Sequence, residues 1–536
     1  MKKFSTRHLI LLGIILFSII GGVIAIYATA HGPWGYTDPV EYISVARSLD
    51  RGQGLGYYEA TAKFTPETLH PPFYSLVLSL IGLLGVNLVA ASRWLNIFAF
   101  IASVFIAGWI FYRFSRVPAL GIIASALMCA FPWTVVYFSS SYSEPLFVLT
   151  FLAGGLLLLE YLHNEKTFLL IASAIVVGLI PGTRYAGIAM VLSAALTLWI
   201  YSSGKPWKRI QKTVLFACIA GVPILIWLGW VYFSSAHRLG GRIPGFEFGG
   251  LAAQFQTFRG LFVETIWRWL PFQGKDTHVR YFLKVMLLFI GILAIVILSW
   301  LANRRADKKP ADGATATGMP IYIFFGLSAV MYTAILVATY LFTRPTIDID
   351  NRILLPLFVS CMMAFYAAFA VWQAVWFEGR KRLLRFLPWI VAALCLVWYI
   401  PQTWQEASFY HHGDGLTAYF WNQTAIIQAV RALPADKGVI SNDWELTTLW
   451  TGRPVYGFWN TFPSTAPIQT TPYGANASDA VQTVFCSQGA ALVVYNDFES
   501  QARSQVGEAS LDQMAKLFDG LSVYGKYTDG TIYLCP

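Results

Sequence analysis

The sequence predicts a polytopic α-helical membrane protein of about eleven spans, followed by an α/β domain outside the bilayer. Three observations predict this. The 536 residues are 56% hydrophobic and only 12% charged, too apolar for a soluble protein with one anchor. Lys and Arg gather in short segments between apolar runs, where they set orientation. After residue 402, charged and polar residues return and helix and strand patterns alternate. The net charge of +10 is thus a matter of topology, and no nucleic-acid partner is expected. The six cysteines include no Cys-x-x-Cys pair, which argues against zinc and thioredoxin-like sites. Cys129, Cys218, Cys361 and Cys395 lie in apolar runs. Cys486 and Cys535 lie in the polar tail and could pair if that tail is outside the cytoplasm.

The basic start, Lys2, Lys3 and Arg7, orients the N-terminus to the cytoplasm. The apolar run from Ile10 to Tyr27 reads as a retained helix rather than a cleaved signal. A first outer loop, 31–90, follows. In it Asp38 has the pattern of a helix N-cap, with Pro39 at the first helical position and Glu41 closing a capping box. Tyr42, Ile43, Ala46 and Leu49 then fall on one face. The apolar segment Pro71 to Val86 is short for a span and reads as a helix lying in the outer interface.

The remaining spans are Ala91 to Tyr112, Val117 to Phe138, Pro145 to Leu162, Thr167 to Ile180 and Tyr185 to Ile200. They continue with Thr213 to Phe233, Tyr281 to Leu301, Pro320 to Phe342, Ile353 to Phe377 and Leu387 to Ile400. This count places the basic clusters around Arg113, Lys208, Arg304 and Arg380 on one side. It divides the chain into a membrane domain, 1–402, and an extracytoplasmic α/β domain, 403–536.

In the tail, helices are expected over Asn422 to Leu433, Glu445 to Trp450, Ser478 to Cys486 and Leu511 to Phe518. Strands are expected over Gly438 to Ser441 and Ala491 to Tyr495, and a hairpin over Ser522 to Tyr527 and Thr531 to Cys535. No nucleophile elbow, P-loop or zinc spacing is present. The run His411-His412-Gly413-Asp414 lacks ligand spacing and reads as a polar linker.

The predicted topology gathers Asp38, Glu41, His70, Glu144, Arg184, Arg238, Arg242, Glu247, Arg344, Asp348, Asp350 and Arg352 on the outer side. Charges near membrane depth are costly and usually functional. Arg184 sits in Pro181-Gly182-Thr183-Arg184-Tyr185, a break between two apolar runs. It is either an interfacial anchor or a phosphate ligand, because a guanidinium fork matches phosphate geometry. Glu144 precedes Pro145 and either caps that helix or serves the site. Arg352 is either a phosphate ligand or a salt-bridge partner of Asp348 or Asp350. Arg238 and Arg242 are less specific.

An Asp just after the first span, the helix Tyr42-x-x-x-Ala46-Arg47-x-Leu49, a Gly-containing gap and the segment His70-Pro71-Pro72-Phe73-Tyr74 together resemble the GT-C superfamily of glycosyltransferases. That superfamily includes the protein O-mannosyltransferases and the lipid A aminoarabinose transferases. The likeness covers the first hundred residues in detail and the rest of the membrane part by layout. Many members carry Asp-Glu where this chain has Asp38-Pro39, and Glu41 is no obvious replacement for the second carboxylate.

The resemblance implies a GT-C-like fold and inverting transfer of a hexosyl or pentosyl group. The donor would be a polyprenyl-phosphate sugar in the bilayer, and the acceptor a hydroxyl on protein, lipid or glycan. Transfer would occur on the outer side of the cytoplasmic membrane. The resemblance makes Asp38 the catalytic base. Glu41, His70, Tyr74, Glu144, Arg184, Arg242, Asp350 and Arg352 become substrate-binding positions. No cofactor is required, and a divalent metal is compatible but not demanded. The alternative is a transporter or a lipid-linked-sugar flippase. Against it, no inverted repeat is evident and the polar groups cluster on one face.

Overall fold

The computed structural model describes residues 6–234, 243–244, 250–270, 318–344, 346–376, 386–461, 485, 489–506, 518 and 521–534. In chain order the helices are α1 (Thr6–Ala28), α2 (Thr37–Asp50), α3 (Phe73–Gly82), α4 (Leu88–Phe114), α5 (Leu120–Ala130), α6 (Pro132–Phe138), α7 (Glu144–Asn164), α8 (Thr167–Leu179) and α9 (Ile188–Tyr201). They continue with α10 (Pro206–Ser234), α11 (Leu251–Trp267), α12 (Met319–Phe342), α13 (Asn351–Trp376), α14 (Leu387–His411), α15 (Ala425–Ala432), α16 (Trp444–Thr451), α17 (Phe458–Thr461) and α18 (Phe498–Val506). The strands are β1 (Gly56–Tyr58), β2 (Phe64–Pro66), β3 (Ile243–Pro244), β4 (Thr343–Arg344), β5 (Val439–Ser441), β6 (Tyr456–Gly457), β7 (Ala491–Tyr495), β8 (Ser522–Tyr527) and β9 (Gly530–Leu534).

Two compact units result. A helical unit comprises Met1–Thr29, Thr68–Tyr74 and Arg93–His412. A sheet unit comprises Ala30–Glu67, Ser75–Ser92 and Gly413–Pro536.

Among the described residues, seven helices are long and apolar enough to cross a bilayer, in agreement with a multi-pass membrane protein. They are α1, α4, α7, α10, α12, α13 and α14, and the bent pair α5–α6 would make an eighth. The segments Thr167 to Ile180 and Tyr185 to Ile200 form the shorter apolar helices α8 and α9. The expected span Tyr281 to Leu301 lies outside the described residues. The most apolar stretch of α13 is 89% buried, against 22% for α10 and α14. Thus α13 forms the core of the helical unit, while α10 and α14 present apolar side chains outward, as a helix facing hydrocarbon must.

Two local readings are corrected. The expected continuous span over Val117 to Phe138 is broken: α5 and α6 meet at 63°. Phe131 takes an extended conformation (φ −70°, ψ 121°), as the residue before a proline prefers. Its successor Pro132 starts a new helix. The carbonyl of Ala130, next to the break, accepts the Thr403 hydroxyl. Asp38 is not the N-cap of α2. The cap position is Tyr36, without a side-chain capping bond, and Asp38 lies inside the first turn. Pro39 is tolerated there because amides of the first turn have no intrahelical partner to lose.

In the sheet unit the strand order is β6-β5-β7-β9-β8. β5 pairs in parallel with β6 and β7, and β9 is antiparallel to both β7 and β8. Parallel strands need cover on both faces, and β5 and β7 are correspondingly apolar. Ile440, Leu492, Ala490, Phe458 and Phe485 form the core. The expected strands, the hairpin and the helices at α15 and α16 are present. The helices expected over 478–486 and 511–518 fall outside the described residues except at Phe485 and Phe518, as do Cys486 and Cys535.

Residues 30–67 and 75–92 are built into this unit. The Gly457 amide donates to the Ala60 carbonyl at 2.6 Å, beside a bridge between Thr61 and Tyr456. The Leu416 amide donates to the Gly35 carbonyl at 2.7 Å. Gly415 has φ +70° and lies against the Gly35 backbone, where a Cβ would collide, so glycine is required on both grounds.

Further along α2, the Arg47 guanidinium donates to the carbonyls of Thr448 (3.0 Å) and Leu449 (2.6 Å), and Arg51 donates to Gly452 (2.9 Å). These carbonyls lie at the C-terminal end of α16 and its cap, Gly452, where the helix dipole favours a cation. Burial lowers the Arg47 pKa to about 10, so the side chain remains a cation at neutral pH. Hydrogen bonds from charged groups contribute about 1.5–3 kcal/mol each. Arg47→Ala is therefore expected to destabilise the sheet unit by at least about 2 kcal/mol. Limited proteolysis of the full-length protein, read at sites within 413–534, would show faster cleavage in the variant.

Candidate active site

In the helical unit the site begins with a polar loop held inside apolar helices. Ser139, Ser140, Ser141, Tyr142 and Ser143 separate α6 from α7, and all five are buried. Buried backbone needs partners, and Asn96 of α4 supplies them. Its side-chain amide nitrogen lies 2.7 Å from the Ser140 carbonyl and 3.0 Å from that of Tyr142. It also donates to the Tyr74 hydroxyl at 3.2 Å.

The loop delivers Glu144 to the start of α7, fully buried. Two cations meet this carboxylate. Arg184 Nη1 donates to Glu144 Oε1. Arg352 Nε lies 3.5 Å from the same oxygen, and its guanidinium stands 4.8 Å over the Tyr142 ring. Among the described residues, Glu144 Oε2 is buried with no hydrogen-bond partner.

Each arginine is placed by a break in an apolar pattern. Arg184 follows α8 in extended conformation (φ −155°) and precedes a single 3₁₀ turn. The Thr183 hydroxyl donates to the Ile180 carbonyl at 2.7 Å. The Gly182 carbonyl accepts the Phe73 amide at 2.8 Å, which ties the His70-Pro71-Pro72-Phe73-Tyr74 segment to this break. Arg352 lies in the first turn of α13. There Asp350 Oδ1 accepts the Ile353 amide at 2.9 Å, Tyr332 donates to the Ile353 carbonyl at 2.6 Å, and Trp269 donates to Asn351 Oδ1 at 2.9 Å.

The helical unit thus holds Glu144, Arg184 and Arg352 in one cluster. It places Asp350 as the cap of α13 and Tyr74 as a fully buried partner of Asn96. His70 is half-buried in the segment Thr68–Tyr74 of the same unit. Arg242 lies outside the described residues.

In the sheet unit, Asp38 lies in the first turn of α2 and Glu41 just after it, and both are half-buried. Thr37, beside Asp38, donates its hydroxyl to Glu445 Oε2 at 3.2 Å. Glu445 opens α16 behind Asp443, whose Oδ1 caps that helix by accepting the Leu446 amide at 3.1 Å. Burial pushes the Glu445 carboxyl up to about 7, and Asp443, Glu41 and Asp38 add to the rise against the Thr37 bond. Burial likewise raises Asp443 to about 6. Tyr36 donates to Asp414 at 3.2 Å. In the helical unit, His411 stacks on Tyr27 and its Nδ1 lies 2.8 Å from the Tyr27 carbonyl. Among the described residues, no group of three or more His, Cys, Asp or Glu side chains is arranged to hold a metal.

Sequence reasoning missed Asn96, Tyr142 and Glu445. An Asn inside an apolar span was the available signal for the first. The run of serines before Tyr142 marked a polar loop. Glu445 carries no local signal, because an acidic residue in a helix's first turn is ordinary.

No protein-family model matches the chain, and no curated protein matches it in sequence. Solved structures do match in fold. ArnT from Cupriavidus metallidurans bound to undecaprenyl phosphate superposes with a TM-score of 0.52 at 11% identity, covering 97% of each chain. The mycobacterial arabinofuranosyltransferase AftD superposes with a TM-score of 0.51 at 14% identity, over 99% of this chain and 42% of that one. The class defined is therefore a polytopic membrane protein with the GT-C fold.

Breaking a buried ion pair by removing one partner costs about 3–5 kcal/mol. Glu144→Gln leaves two guanidiniums without their shared anion. The expected result is a loss of that order, measured as a clear drop in the unfolding midpoint of detergent-solubilised protein.

Proposed function

We propose that this chain is an inverting glycosyltransferase. It moves a sugar from a polyprenyl-phosphate donor to an acceptor hydroxyl on the outer side of the cytoplasmic membrane. The observation that carries this reading is the buried Glu144–Arg184–Arg352 cluster in a chain with the GT-C fold. Paired guanidiniums held by packing, rather than by flexible surface loops, suit a phosphate that must be gripped in a fixed geometry. Undecaprenyl phosphate bound to ArnT supports a lipid phosphate as the ligand class. The orphan Glu144 Oε2 suits a hydroxyl donor such as a sugar would bring, because an unpaired buried acceptor costs about 1–3 kcal/mol.

The roles are those that the resemblance to the GT-C superfamily implies. Asp38 takes the proton from the acceptor hydroxyl as that oxygen bonds the anomeric carbon. Attack comes from the face opposite the phosphate and inverts the configuration. The bond from the anomeric carbon to the phosphate oxygen breaks, and polyprenyl phosphate leaves with its negative charge. Arg184, Arg352 and His70 stabilise that charge, which is largest in the transition state and after it. The acceptor is a hydroxyl of a protein, lipid or glycan. The scheme routes no step through a metal.

Asp38→Asn is a conservative test, because Asp38 lies in the first turn of α2 and makes no N-cap to lose. Membranes containing wild type are expected to transfer radiolabelled sugar from a polyprenyl-phosphate donor panel. The Asn variant should be slower by about 10²–10⁴-fold, the usual share of a general base. Transfer at the wild-type rate would remove Asp38 from the chemistry.

A further inference from the structure

The sheet unit contributes a residue to the surroundings of Asp38 that no motif announces. α2 and α16 run side by side with their N-termini together. Thr37 bonds Glu445 at one end, and Arg47 and Arg51 bond the last carbonyls of α16 at the other. Anchored at both ends, the pair has one register. That register sets the Glu445 carboxyl against the N-terminal end of α2, which carries Asp38 and then Glu41. The charged and titratable groups that act on it are Asp38 and Glu41 of α2 and Asp443 at the head of α16. Tyr57 of β1 feels both Glu41 and Glu445.

Resting on the reading of Asp38 as the base, we propose that Glu445 is a positioning residue for it. Glu445 fixes the first turn of α2 through Thr37 and couples its own charge to the Asp38 carboxylate. The inference stands on the Thr37 bond and the two-ended docking. The raised proton affinity of Glu445, about 7, gives the coupling a pH signature. Above that pH, Glu445 is an anion and raises the proton affinity of Asp38, making it a better base. Below it, Glu445 is neutral and that help is lost.

Two measurements on the full-length protein test this. In the first, kcat is followed against pH for wild type, Glu445→Gln, Thr37→Val and Thr37→Ser. Wild type should rise through a limb near pH 7 that Glu445→Gln lacks, with a deficit of about three- to tenfold above it. Gln keeps an acceptor for Thr37, so the loss reads charge rather than packing. Thr37→Val should lower kcat and Thr37→Ser restore it. A wild-type profile in Glu445→Gln would overturn the proposal.

The second measurement needs no turnover. The titration of ¹³C-labelled Glu445 should shift to lower pH in Asp38→Asn, because a neighbouring like charge has gone. An unchanged titration would overturn the coupling. Full transfer by Asp38→Asn would instead defeat the base assignment, so the two failures are distinguishable.

Discussion

A carboxylate buried among apolar helices is the constraint from which the helical unit follows. An ionised group removed from water costs several kcal/mol unless paired and hydrogen-bonded. Glu144 is fully buried, so the fold must bring cations to it. It does so with Arg184 and Arg352, residues far apart in the chain. All three residues enter at interruptions of apolar runs: Glu144 at the serine-rich loop before α7, Arg184 at the Pro181-Gly182 break after α8, and Arg352 at the capped start of α13. These interruptions are affordable only where other side chains satisfy the backbone they release. Asn96, Thr183, Tyr332 and Asp350 do that.

The sheet unit follows a different rule. Its parallel strands need covering on both faces, and its helices are short. Stability therefore depends on stitching distant pieces of chain together. The segment between α1 and α3 supplies α2 and a bridge to the edge strand β6. The basic end of α2 in turn caps the C-terminus of α16. The segment that resembles the GT-C signature thus carries the candidate base, Asp38, and the structural clamp, Arg47, on one helix.

Much of this was legible in the sequence. The apolar runs, the Asp38 helix, the Glu144-Pro145 step, the Thr183-Arg184 step and the tail strands all appear where local pattern places them. The misreadings share one cause, which is that local rules permit more than one outcome. Pro39 is acceptable anywhere in a first helical turn, so the pattern points to Asp38 as the N-cap when the cap is Tyr36. An apolar run over Val117 to Phe138 does not reveal that Pro132 bends it. The sequence leaves Arg352 as a phosphate ligand or a salt-bridge partner of its neighbours Asp348 and Asp350; in the structure Asp350 caps α13, and Glu144, two hundred residues earlier, pairs with the arginine. Glu445 was invisible because its significance lies wholly in what α16 is docked against.

The central claim is that Arg184 and Arg352, gathered by Glu144, hold a lipid-linked phosphate. Binding of undecaprenyl phosphate to the protein in nanodiscs would test it most directly, comparing wild type with Arg184→Lys and Arg352→Lys. Lys keeps the charge but loses the planar fork. The account predicts that each variant binds about tenfold more weakly or worse while remaining folded, equivalent to about 1.4 kcal/mol. Equal affinity in all three proteins would contradict it and return both arginines to a purely structural role around Glu144.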